Sequence, residues 1–141
     1  MAYDINKYLP FRAGTDQSFV SKENGCRHIA LNPNAYHVRQ FRIDGKVICG
    51  VEEKKCDYLL LNDDTHKSYY IELKGSEIDK AIKQLENTIN LISPSLRGYI
   101  IYQRIVYRTG THSVNSSAVT RWKQKNHGRA ILRHLTLEEK L

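Results

Sequence analysis

The period of the apolar positions changes along the chain, and each change marks an element. Val38, Gln40, Phe41, Arg42 and Ile43 form a strand-like stretch. Asp44-Gly45 is a hairpin-turn dipeptide, Lys46-Val47-Ile48-Cys49 the expected return strand, and Gly50 its end or bulge. Glu52-Glu53-Lys54-Lys55 is a charged connector. Cys56-Asp57-Tyr58-Leu59-Leu60-Leu61 is an apolar run opened by an acid, the segment from Asn62 to Lys67 reads as a hairpin loop, and Tyr69-Tyr70-Ile71-Glu72-Leu73-Lys74-Gly75 is the next strand. The spacing then becomes helical, with Ile78, Ala81, Ile82, Leu85, Ile89 and Ile92 on one stripe. Ser76 suits the N-cap of that helix, Glu77 and Asp79 its positive end, and Ser93-Pro94 its stop. Gly98 to Tyr102 returns to strand character, with Val106 as its far limit. A βαβ unit of this length predicts two parallel strands with the helix packed over them.

The two ends carry weaker patterns. Thr15 or Asp16 can cap a short helix through Ser18, Phe19, Val20 and Lys22, which Gly25 and Asn32-Pro33-Asn34 would interrupt. Thr109 to Thr120 is a polar, acid-free segment, either a surface loop or a segment that orders on a nucleic-acid backbone. A short helix is expected over 121–127 and a short final strand over Ala130-Ile131-Leu132. The expected fold class is α/β, a mixed sheet with helices on its faces, in one domain spanning 1–141.

Composition narrows the class. The 40% hydrophobic content is ordinary for a globular chain. No apolar stretch is long enough to span a bilayer, and Met1 to Arg12 has no hydrophobic signal core. A soluble cytoplasmic protein is the expectation. Cys26, Cys49 and Cys56 lack a Cys-x-x-Cys spacing, which argues against a zinc site or a disulfide framework. Cys49 and Cys56 are expected as small core residues. The net charge of +7 is uneven. Residues 1–86 balance 13 Lys and Arg against 13 Asp and Glu, whereas residues 87–137 hold eight cations (Arg97, Arg104, Arg108, Arg121, Lys123, Lys125, Arg129 and Arg133) and no acid. That run favours a polyanionic partner. Tyr99, Tyr102 and Tyr107 interleave with Arg97, Arg104 and Arg108. We assign the tyrosines to half-buried strand positions, the arginines to phosphate contact, and Trp122 to packing.

Chemistry concentrates in three residues. Alternate side chains of a strand share a face, so Glu72 and Lys74 project together while Ile71 and Leu73 point into the core. Closing the hairpin brings Asp57 towards Glu72. Two carboxylates and an ammonium then converge beside apolar strands. Hard divalent cations take oxygen ligands of this kind, and phosphodiester hydrolysis uses such cations.

An Asp opening one strand, Glu-x-Lys closing the next and a helix following at once resembles the PD-(D/E)XK nuclease superfamily, with Cys56 in place of the usual Pro. The resemblance covers Phe41 to Ile92 and implies a restriction-endonuclease-like fold with a mixed central sheet flanked by helices. It implies Asp57, Glu72 and the main-chain carbonyl of Leu73 as ligands of Mg²⁺ or Mn²⁺, with Lys74 holding or activating the attacking water and stabilising charge on the phosphate. Gln84, on the following helix, resembles a Gln that faces the active site in recombination-type members; a solvent-facing helix Gln is the alternative. Lys80, one turn earlier, can reach a phosphate, and Arg97, Arg121, Lys123 and Lys125 are candidates for the nucleic-acid surface. Family members add an upstream acid, for which Glu23 and then Glu53 are candidates; a histidine ligand, as in cap-snatching endonucleases, would be His28. The implied function is a metal-dependent DNA endonuclease, junction-specific or a phage or defence enzyme, acting as a homodimer. RNA cleavage and non-catalytic nucleic-acid binding are the alternatives.

Overall fold

A six-stranded mixed sheet carries the βαβ unit and the second of the two hairpins that the apolar pattern predicts. The computed structural model describes residues 3–49, 55–109 and 114–141. In chain order the strands are β1 (Arg12–Gly14), β2 (Ser18–Glu23), β3 (Cys26–Leu31), β4 (Val38–Arg42), β5 (Tyr58–Asn62), β6 (Lys67–Lys74), β7 (Ile100–Tyr107), β8 (Ala130–His134) and β9 (Thr136–Lys140). The helices are α1 (Ile78–Ile92), between β6 and β7, and α2 (Ser117–Lys125), before β8. The large sheet has the order β1-β4-β5-β6-β7-β8, antiparallel as far as β6 and parallel from β6 to β8. Strands β2, β3 and β9 form a second, three-stranded sheet. No helix among the described residues is long and apolar enough to cross a membrane.

The two faces of the large sheet bury different partners. On one, Leu59, Leu61, Tyr70 and Ile105 pack against Ile78, Ala81, Ile82, Leu85 and Ile92 of α1 and Val119 and Trp122 of α2. On the other, Tyr58, Leu60, Tyr69, Ile71, Leu73 and Val106 pack against Phe19, Cys26, Ala30 and Leu137 of the small sheet. Each large apolar side chain so buried contributes roughly 1.5–3 kcal/mol. Helices therefore cover one face only, and a second sheet takes the place of the helical layer expected on the other.

That second sheet accounts for the largest difference from the expected elements. The stretch Ser18 to Lys22, expected as a helix, lies in β2, where Phe19 and Ser21 are buried and the flanking Ser18 and Val20 half-buried. It pairs with β3 across a two-residue turn in which Asn24 and Gly25 both have positive φ (53° and 75°). Such turns match the twist of a hairpin, and ladder pairing overrides the local cap signal. The expected return strand at Lys46 to Cys49 is reduced to a turn with one isolated bridge, Asp44 to Ile48. Cys49 is exposed rather than in the core, while Cys26 and Cys56 are buried. Ser76 is not the N-cap; Glu77 takes that place with φ 59° and no side-chain cap. Helix α2 begins at Ser117, where the Ser116 hydroxyl caps it by accepting the Val119 N–H. Ala130 to Leu132 belongs to β8, and the last strand is β9. Gly50, most of the charged connector and part of the loop after Thr109 lie outside the described residues.

A buried ion pair fastens the small sheet to the large one. Arg104 of β7 is 4% exposed. Its guanidinium donates to both oxygens of Glu139 of β9 (2.8 and 3.0 Å) and to the carbonyls of Gln103 and Arg129. It also lies 5.5 and 5.4 Å from the rings of Tyr69 and Tyr102. His28 of β3, fully buried, meets the same carboxylate at 2.7 Å. Arg104 is thus a structural residue and not the phosphate contact expected of it. Trp122 is a packing anchor, its indole N–H donating to Gln103.

Burial alone would raise the pKa of Glu139, but the hydrogen bonds from His28 and Arg104, with the guanidinium charge, hold it at about 2 against an ordinary 4.5. Its stabilising contribution is complete above the unfolded value and is lost as pH falls towards 2. Glu139→Ala leaves Arg104 buried without a counter-charge and should cost roughly 3–5 kcal/mol, measured as a lower urea midpoint at neutral pH. The variant should also show a flatter loss of stability between about pH 5 and pH 2 than the parent. Equal midpoints would contradict this role.

Candidate active site

Strand β6 runs past the end of β5, and the site forms on that overhang. The last ladder pair is Tyr58 with Ile71. Continuing the register sets Asp57 opposite Glu72, on the face that carries Leu59, Tyr70 and α1. The Asp57 N–H donates to the Ile71 carbonyl (3.1 Å), which keeps the segment beside β6. One Asp57 oxygen then accepts the Leu73 N–H (2.8 Å), a donor for which β5 has no residue left. The Leu73 carbonyl accepts from the side-chain amide of Asn24 (2.8 Å), at the tip of the β2–β3 hairpin. The carbonyl expected as a metal ligand therefore already has one hydrogen-bond donor, with one lone pair left.

Lys74 follows Glu72 on the same face, with its ammonium 4.0 Å from a Glu72 oxygen. It donates to the Gln84 side-chain oxygen (3.0 Å), and the Gln84 amide donates in turn to the Lys55 carbonyl (3.1 Å). One turn on, the Thr88 hydroxyl accepts the Cys56 N–H (2.8 Å). Helix α1 thus holds the segment that delivers Asp57 and orients Lys74 at the same time. Gln84 faces the site rather than open solvent.

These residues line a cavity of about 470 Å³, formed by Glu23, Asn24, Arg42, Asp44, Asp57, Tyr58, Glu72, Lys74 and Gln84. The site is therefore open, although Glu72 itself is 2% exposed. Burial raises the pKa of Glu72, and the Asp57 charge raises it further against the opposing effect of Lys74. Burial also raises Asp57, partly offset by the Leu73 N–H, with Glu23 and Asp44 adding to the rise. Oε1 of Glu72 is buried with no hydrogen-bond partner. Like charges directly opposite across a ladder repel, and an orphaned buried oxygen is costly. A cation or a proton relieves both.

Among the described residues no three His, Cys, Asp or Glu side chains gather into a ready-made metal cage. The oxygens of Asp57 and Glu72 nevertheless fit a small hard cation, since Mg²⁺ is usually held by one or two carboxylates and keeps several waters. Soft or tetrahedral metals do not fit this donor set.

The remaining candidates separate. Glu23 lines the cavity, from the end of β2. His28 is committed to Glu139 and lies away from the cavity, and Glu53 lies outside the described residues. Lys80 and Arg97 are exposed and do not line the cavity; Arg97 precedes β7, at the opposite end of the sheet from Glu72. Arg121 and Lys125 border a separate groove between α1 and α2, with Asp79, Lys83 and Glu86. Lys125 is 3.7 Å from Glu86 there, and Lys123 is exposed on α2. The cation-rich half of the sequence is therefore not gathered around the cavity, although Arg108 lies against Gly25 in the β2–β3 turn. Sequence reasoning missed Asn24, Arg42 and Asp44. The Asn24-Gly25 dipeptide was a usable hairpin signal for the first; nothing local marked the other two.

Comparison with family models, curated proteins and solved structures finds no match to this chain.

Both acids have folded pKa values above their unfolded ones, so ionising them opposes folding. Their contribution favours the folded state at low pH and declines as pH rises above the ordinary carboxylate range. Glu72→Gln should therefore raise the thermal midpoint at pH 8 without added metal, by the equivalent of ~1–2 kcal/mol, with a smaller gain at pH 5. A lower midpoint at pH 8 would show that Glu72 is stabilised as a carboxylate by something other than a cation.

Proposed function

We propose that the protein is a divalent-metal-dependent nuclease with a PD-(D/E)XK-type active site on a restriction-endonuclease-like fold, cutting phosphodiester bonds in DNA. One observation carries the reading. Asp57 and Glu72 stand opposite each other at the end of a strand pair, with Lys74 on the same face, on the wall of an open polar cavity. A mixed sheet with the acid before one strand, Glu-x-Lys closing the next and a helix immediately after supports the same reading.

The geometry supports a division of labour among these residues. Asp57 and Glu72 would hold Mg²⁺ or Mn²⁺, with Asp57 kept in orientation by the Leu73 N–H. The bound cation supplies Lewis acidity for the phosphate and a more acidic water. Lys74, steadied by Gln84, presents a positive charge where negative charge builds on the phosphate oxygens. Because the ammonium is already oriented, little reorganisation is needed at the moment of reaction. Glu23 and Asp44 keep the cavity acidic, which favours a cation entering with the phosphate over a bare phosphate. A cytoplasmic homodimer, presenting one cavity to each strand, completes the proposal.

The test is cutting of plasmid, single-stranded and branched DNA, with parallel RNA substrates, in Mg²⁺ or Mn²⁺ and then in chelator. The expected result is metal-dependent cleavage that chelator abolishes and that Lys74→Ala lowers roughly 100-fold or more. Gln84→Ala should lower it less, since the ammonium loses its support and not its charge. Tight, salt-sensitive binding without cutting of any substrate would replace the enzyme by a binding module. Cutting of RNA alone would move the substrate class.

A further inference from the structure

Four large apolar side chains are exposed among the described residues: Leu9, Phe11, Ile100 and Leu135. Phe11 is distinguished by its neighbour. Its ring lies 5.4 Å from the guanidinium carbon of Arg42, and that carbon lies 5.8 Å from the ring of Tyr58. Arg42 and Tyr58 both line the cavity that holds Asp57, Glu72 and Lys74. A ladder of ring, guanidinium and ring thus leads from the surface to the cavity wall.

The ladder is built to stay in place. Tyr58 is 5% exposed, and its hydroxyl donates to the Lys22 carbonyl (3.1 Å). Arg42 ends β4, paired with Tyr58. Four carboxylates line the same cavity, yet among the described residues none forms an ion pair with Arg42. Its guanidinium faces rings instead, which leaves its donors for a ligand. At its outer end Phe11 keeps 56% of its surface in water. A lone exposed Phe needs no explanation on a protein surface. A solvent-facing Phe on an Arg that has no ion pair among the described residues, at the edge of a polar cavity, has the components of a base-stacking platform, an aromatic face with a cation beside it for the phosphate.

We propose that Phe11, braced by Arg42 and Tyr58, is the surface on which an unpaired nucleobase stacks next to the phosphate held in the cavity. The substrate is then single-stranded or locally unpaired nucleic acid, such as a flap, an end or a junction arm, rather than continuous duplex. Within a duplex both faces of each base are already covered, and exposing one requires unstacking. The inference rests on the reading of the cavity as the seat of a scissile phosphate and adds the class of strand that reaches it.

The experiment is a titration, in chelator, of the full chain with short DNA and RNA single strands carrying 2-aminopurine and with the same strands annealed as duplex. The parent protein should quench the single-strand fluorescence and bind single strands more tightly than duplex. Phe11→Ala and Phe11→Leu should each weaken single-strand binding about tenfold and remove the quenching. They should leave the weaker duplex binding and the thermal midpoint unchanged. Phe11→Tyr, which keeps the aromatic face, should behave as the parent. Single-strand affinity and quenching unaltered in Phe11→Ala, or equal losses for single strand and duplex, would overturn the platform. The titration reads stacking and the separate cutting assay reads cleavage, so the two readings fail separately. Stacking without metal-dependent cutting rejects the nuclease and keeps the platform, whereas cutting that ignores Phe11 does the reverse.

Discussion

Strand β6 is enclosed on every side until its last residues, and the site exists because of how it emerges. It is bonded to β5 and β7 along its edges, covered by α1 on one face and by the small sheet on the other. A strand held in this way has no freedom to slip, since a shift of one residue would exchange Tyr70 and Glu72 with Ile71 and Leu73 across two different cores. Its register is therefore fixed, and so is the position at which Glu72 and Lys74 leave the packed interior. Beyond β5, its free N–H is taken by Asp57 and its free carbonyl by Asn24. Two unsatisfied backbone groups at a strand end are thus what draw the acid from one side and the hairpin tip from the other.

The same enclosure sets the electrostatics. A carboxylate at the rim of a sheet would be solvated and ordinary, whereas Glu72 sits behind α1 with one oxygen lacking any partner. Asp57, directly opposite, adds repulsion that Lys74 at 4.0 Å does not cancel. Instability of this kind is common where a binding site trades stability for affinity. The buried Arg104–Glu139 pair on the other face differs in that opposite charges meet there and both carboxylate oxygens are bonded, one of them also to His28. Its role is to fasten the small sheet, and with it the hairpin that carries Glu23 and Asn24, to the sheet that carries the acids.

Charge along the sequence and charge in space diverge. Residues 87–137 hold eight cations and no acid, which reads as one basic surface. In the fold, Arg104 is interior, Arg121 and Lys125 share a groove with acids from α1, and Arg97 lies at the far end of the sheet. The missing acids are supplied by partners from elsewhere in the chain. A basic run is thus a property of composition until tertiary contacts show which of its members face solvent.

Local patterning was enough to place the hairpin around Asn62 to Lys67, the βαβ unit and the clustering of Asp57, Glu72, Lys74 and Gln84. Alternation and helical spacing are local, and Asp57, Glu72, Lys74 and Gln84 sit within one contiguous stretch whose own connections bring them together. The remaining features depend on long-range contacts. Ser18 to Lys22 became a strand because β3 was available to pair with it, and a sheet rather than a helix came to cover the second face. Asn24, Arg42 and Asp44 joined the cavity, and Arg104 left the surface, through contacts between residues far apart in the chain. Pairing across such distances depends on which partner competes best for the same backbone hydrogen bonds and apolar area, and no local pattern records the outcome of that competition.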